Sequence, residues 1–141
     1  MREIKKKKAD RKKLRRQPTE YSPSILSSIN YPVFCFHYLA TNKYNLTNCN
    51  SNERAACMNT MRVLSQFSWQ YIESNHVKGC HIIKDKDSIS VTKPEPAPMS
   101  PDLPIIAFEF GKDKKMVGYR RECVFHIIWL DRDFSLYPHG S

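Results

Sequence analysis

Five prolines crowd into "PEPAPMSPDLP", residues 94 to 104. Proline lacks a backbone N–H and clashes with the preceding helical turn, so this stretch is neither a helix nor a central strand. Residues 84–104 are therefore expected to form a Pro-rich surface crossover, with a polyproline partner-binding segment as the other reading. Any long helix belongs before the loop.

After it, the residues read as an antiparallel β-meander. "IIAFEF" is a strand, "GKDKK" a turn, "MVGYRRE" and "CVFHIIWLD" two further strands, and "FSLYPHG" a last short strand or tail. Val, Ile, Phe, Tyr and Trp dominate the strands, and Gly with Asp-Lys marks the turn. Strict alternation along 123–131 sets Val124, His126, Ile128 and Leu130 on one face and Phe125, Ile127 and Trp129 on the other.

Before the loop, "VFCFHYLA" is apolar on both alternating faces, as in a strand covered on both sides. "GCHIIKD" is expected to open as a short strand. From Ser51 to Ser74, Cys57, Met61, Leu64, Ser68 and Tyr71 fall on one helical stripe flanked by Phe67 and Ile72. Asn50 and Glu53 have the spacing of a capping box. The pattern predicts one long amphipathic helix, or two joined by a kink, whose stripe is core. The expected fold is α+β: an antiparallel meander with this helix packed on it.

The charge is placed unevenly. Of the net +9, residues 1–17 hold ten Lys or Arg (Arg2, Lys5, Lys6, Lys7, Lys8, Arg11, Lys12, Lys13, Arg15, Arg16) against Glu3 and Asp10. That arm carries +8 and the other 124 residues about +1. Its apolar residues are too few to bury, and its like charges repel, so residues 1–18 are expected to be a flexible basic arm and 19–141 a single domain. The arm suits phosphate gripping; a solubilising tail or a nuclear localisation signal would share its composition.

No apolar run reaches the roughly 20 residues of a membrane-spanning helix, and no apolar segment succeeds the basic start as in a secretory signal. The expectation is a soluble cytoplasmic protein. Five cysteines (35, 49, 57, 80 and 123), an odd count without a CxxC pair, indicate free thiols. Cys35 with His37, Cys80 with His81, and Cys123 with His126 lack convergent zinc spacing, so neither a metal nor another cofactor is expected. Hydrolase and nucleotide-binding motifs such as GxSxG, HExxH and the P-loop are absent.

Metal-independent RNA cleavage asks for less: a cationic clamp on the phosphate, proton-handling side chains and aromatic faces for unstacked bases. The C-terminal meander offers those types. Lys114, Lys115, Tyr119 and Arg121 are expected to contact nucleic acid along with the arm. A lone His on an apolar face, as His126 is, is more often a core residue than a catalyst.

Gly118-Tyr119-Arg120, the apolar strand after it, the basic turn at Arg132 and then Tyr137 resemble the C-terminal half of the RelE-like messenger-RNA interferase toxins over residues 103–140. The resemblance implies that Arg120 and Arg132 hold the scissile phosphate and that Tyr137 handles the proton. His139 corresponds to the terminal His of some members, and His126 is a further catalytic candidate. It also implies RNA or the ribosome as partner, and a possible protein partner such as an antitoxin. The alternative is a non-catalytic nucleic-acid-binding or accessory subunit that works through its basic arm.

Overall fold

The computed structural model describes residues 25–84, 88–89 and 103–138. The basic arm, most of the Pro-rich loop and His139 lie outside the described residues. The fold mixes α and β: among the described residues, a five-stranded sheet with helices packed against it. The strands are β1 (Val33–Cys35), β2 (His81–Ile83), β3 (Ile105–Gly111), β4 (Lys114–Arg121) and β5 (Val124–Asp131), and the helices α1 (Ser51–Leu64) and α2 (Trp69–Asn75). The spatial order is β1-β5-β4-β3-β2.

The meander β3-β4-β5 forms where the turn chemistry and β-branched runs put it, each pair antiparallel. The sheet as a whole is mixed, however. β1 runs parallel to β5, with Val33 opposite Val124 and Cys35 opposite His126. Parallel neighbours need a long crossover, and the chain supplies one by passing through both helices to β2 on the far edge before it enters the meander. Such a non-local pairing leaves no trace in local periodicity.

The helical segment starts as expected and then departs from the single stripe. The capping box is present: Asn50 Oδ1 accepts from Glu53 N, and Glu53 Oε1 accepts from Asn50 N, both at 2.8 Å. The helix breaks after Leu64, because Ser68 does not continue the stripe but caps α2, its Oγ accepting from Tyr71 N at 3.1 Å. The break resets the helical phase. Cys57, Met61 and Leu64 are buried from α1, whereas α2 buries Trp69 and Ile72 and leaves Tyr71 exposed.

The sheet is covered on both faces. On one, Phe108, Met116, Phe125, Ile127 and Leu130 pack with Met61, Leu64, Trp69 and Ile72. On the other, Ile105, Val117, Tyr119, Ile128 and Trp129 lie beneath Ala40, Tyr44, Leu136 and Tyr137. Here the simple alternation along β5 fails. Val117 pairs with Trp129 but Gly118 with Ile127, so Ile128 is the extra residue of a β-bulge. Trp129 is thereby turned to the face opposite Phe125 and Ile127, and Leu130 joins them. Gly118 sits at this bulge because a Cβ there would meet the His126 carbonyl oxygen at 1.9 Å.

Only three residues of "VFCFHYLA" form a strand. The chain then loops and returns to the same edge of β5, where Ala40 N donates to Ile128 O and Leu130 N to Tyr44 O, each at 2.8 Å. "FSLYP" is not a strand either. The Asp131 carboxylate, fully buried, accepts from Ser135 N at 3.0 Å and Leu136 N at 3.1 Å and folds the tail back over the second face. Burial pushes the Asp131 carboxyl above its ordinary value despite those two hydrogen bonds.

All five cysteines are free thiols. Burial raises Cys57 to about 12 and Cys80 to about 11, so neither is a thiolate at neutral pH. Among the described residues no helix is long and apolar enough to cross a membrane.

Candidate functional site

The end of α2, the edge strand β2 and the adjoining ends of β3 and β4 line a groove of about 440 Å³. Cys80, Ile82, Pro104 and Ile106 give it apolar walls, while Arg120, Lys84, His76, His81 and Glu73 supply its polar atoms. With both imidazoles neutral, Arg120 and Lys84 against Glu73 leave one net positive charge.

Arg120 is the most constrained group there. Its Nε donates to Glu122 O at 2.6 Å, its Nη1 to Glu73 Oε1 at 2.8 Å, and its Cζ lies 4.5 Å from the centre of the Trp69 ring. Trp69 is itself fixed, its Nε1 donating to Cys123 O at 2.9 Å within the core. The guanidinium is thus a cation held over an aromatic ring, and its side chain, 34% exposed, lines the groove. The left-handed turn at His76 (φ 50°) and Gly79 (φ 64°) carries the chain from α2 into β2. In it, His76 Nδ1 lies 3.0 Å from Cys80 O and His81 Nδ1 lies 2.9 Å from Gly79 O. A carbonyl can only accept, so His81 holds its proton on Nδ1 and its Nε2 accepts from Tyr137 Oη at 3.1 Å.

Among the described residues, the predicted catalytic side chains do not converge on one point; His139 lies outside them. Arg120 lies opposite Phe125, near the β4–β5 turn, whereas Arg132 comes after Asp131, which pairs with Lys115 near the other end of these strands. At about 3.3 Å per residue, the two arginines are roughly 20 Å apart along the sheet. Arg132 is bound to Glu53 instead, Nε to Oε1 at 2.9 Å. Tyr137 is buried on the face away from the helices, and its hydroxyl is pushed up to about 12 by burial and by Asp131 and Glu109. His126 also lies on that face, stacked on Tyr119 with ring centres 4.8 Å apart. Its Nδ1 and the Tyr119 hydroxyl are buried without hydrogen-bond partners.

The predicted nucleic-acid contacts divide similarly. Lys115 is buried and tied to Glu109 at 2.8 Å, Lys114 stands 3.7 Å from Glu53, and Tyr119 is fully buried; Arg121 alone of the four is exposed and outside these pairs. The arm residues Lys5 to Arg16 lie outside the described residues.

Sequence reasoning misses Glu73, Ile82 and Lys84, and weighs His81 only beside Cys80 as a metal pair. Among the described residues no three His, Cys, Asp or Glu side chains are grouped to hold a metal ion. What joins His81 to Arg120 is the closing of β2 onto β3, with His81 opposite Ala107 and Ile82 opposite Ile106. The one local signal is "NHVKGCH", a turn-rich stretch with two imidazoles beside an expected strand. No protein-family model, no curated protein and no solved structure matches the chain.

Proposed function

We propose that this protein is a non-catalytic nucleic-acid-binding module that holds the phosphate backbone through its basic arm and presents the Arg120 groove beside it. The observation that carries the reading is the distribution of cations. Eight of the nine net charges reside in residues 1–17, while Lys114, Lys115, Arg120 and Arg132 of the domain are each matched to a Glu. Arginines spent on Glu73 and Glu53 roughly 20 Å apart cannot clamp one phosphodiester, which favours binding over interferase-type cleavage.

The described chain begins on the groove's side of the sheet. Leu26 and Ile29 pack on the helix-side core, and Asn30 O accepts from Trp69 N at 2.7 Å. Trp69 is the ring beneath Arg120. The first described residues, 25–30, therefore lie on the groove's side of the sheet.

The test is fluorescence anisotropy with a labelled RNA across a salt series, comparing the full chain with one lacking residues 1–17. Ten cations releasing about 0.7 counterion each predict a log–log salt slope of up to about 7 for single strands, and the deletion is expected to weaken binding at least about 100-fold. Unchanged binding after the deletion, or no binding by the full chain, removes the reading. RNA cleavage by the wild type in EDTA that disappears in Arg120→Ala replaces it with the nuclease reading.

A further inference from the structure

We propose that the groove between α2, β2 and Arg120 takes one unstacked base of a single-stranded nucleic acid, so that the protein selects single strands over duplex. The inference rests on the nucleic-acid-binding reading above and adds the class of strand.

The groove's volume of about 440 Å³ falls within the roughly 300–1,000 Å³ of small-ligand sites. It is much too small for a duplex, whose bases are stacked and paired, but has room for a base that has left its stack. Its composition matches the two parts of a nucleotide. Ile82, 57% exposed, and Pro104 offer an apolar surface to a ring. The Arg120 guanidinium lies over the Trp69 ring, is partly exposed and lines the groove, and Arg guanidiniums are groups on which unpaired bases stack. Glu73 and the Glu122 carbonyl hold that plane in place before any ligand arrives, which lowers the ordering cost of binding. Lys84 at the rim is exposed and can meet a flanking phosphate, as the net positive lining requires. His76 can hydrogen-bond a base edge through Nε2, since its Nδ1 is engaged with Cys80 O.

Placement favours nucleic acid over a protein segment as occupant. The described chain starts at Ile25, and Asn30 O accepts from Trp69 N beneath Arg120. The segment that carries the ten cations therefore enters the domain on the groove's side, and a strand it grips is held at high effective concentration near the groove.

The experiment compares four probes on the full chain at one fixed salt concentration. They are a labelled twelve-residue oligouridylate, the same oligomer with abasic positions, a twelve-base-pair RNA duplex and an Asp/Glu-rich peptide. The expected result is about tenfold tighter binding of the oligouridylate than of the abasic oligomer or the duplex, from stacking of one base. Ile82→Glu, at an exposed position, and Lys84→Glu are expected to abolish that preference while duplex binding stays within about twofold; thermal melts check that both fold. An oligomer carrying 4-thiouridine is expected to crosslink to residues 76–84.

Equal binding of all three nucleic acids by the wild type overturns the groove assignment and leaves the arm reading standing. So does a preference that survives both variants, or crosslinks confined to residues 1–17. Groove-dependent capture of the acidic peptide, with no preference among the nucleic acids, gives the groove to a protein partner and also overturns it. Failure to bind any of the three nucleic acids overturns both readings.

Discussion

Tyr137 donates its phenolic hydrogen to His81 across 3.1 Å, joining the tail beyond β5 to the edge strand β2. The bond spans the sheet from one edge toward the other, since β5 and β2 are separated by β4 and β3. It places Tyr137 as a strut beneath the groove wall, and a hydroxyl raised to about 12 stays protonated and donating at neutral pH.

Tyr137→Phe keeps the ring and removes the donor. Because His81 is only half-buried and water can replace the bond, the expected loss is about 1 kcal/mol of unfolding free energy, read by urea denaturation. RNA affinity is expected to stay within about twofold. A large affinity loss in a fully folded variant would return Tyr137 to the site.

Glu53 closes the capping box and also faces Arg132 at 2.9 Å and Lys114 at 3.7 Å. Burial pushes its carboxyl up, but the Asn50 N–H, Arg132 and Lys114 outweigh this and hold it below the ordinary 4.5. A depressed carboxyl contributes stability above its unfolded value and loses it as pH falls through the folded one. Glu53→Gln, which keeps the cap geometry, is expected to cost about 1.5–3 kcal/mol at pH 7, the range for a charged hydrogen bond. The deficit is expected to shrink as pH drops below 4.5, which denaturation at pH 7 and pH 3 would reveal.

His126 titrates the other way. Burial, Arg121 and His37 depress it below 6.5, so the folded state prefers the neutral ring. As pH falls below 6.5 the unfolded chain takes up a proton that the folded chain refuses, and stability declines until the folded value is reached. His126→Phe is expected to flatten this limb, seen as a smaller Tm difference between pH 7.5 and pH 5.5. An unchanged difference would place the titration elsewhere.

Gly118→Ala puts a Cβ 1.9 Å from the His126 carbonyl oxygen and 2.9 Å from its carbon, both backbone atoms that cannot yield without breaking the β4–β5 ladder. The expected cost exceeds about 3 kcal/mol, measured as a lowered Tm or loss of folded protein on expression.

Features with local causes were legible in the residues alone. Turn chemistry and β-branched runs marked β3, β4 and β5 almost to their ends. Asn50 and Glu53 announced the start of α1. Features that depend on distant residues emerged only once the chain had packed. A three-residue β1 became the parallel neighbour of β5 because the helical crossover brought it there. An extra residue at Ile128 turned Trp129 to the other face, a shift that alternation counting cannot sense. The pairing of Arg120 with Glu73 and of Arg132 with Glu53 was equally hidden, because opposite charges find each other through space rather than along the chain. Residue type told which side chains could meet a phosphate; position in three dimensions told which of them were already taken.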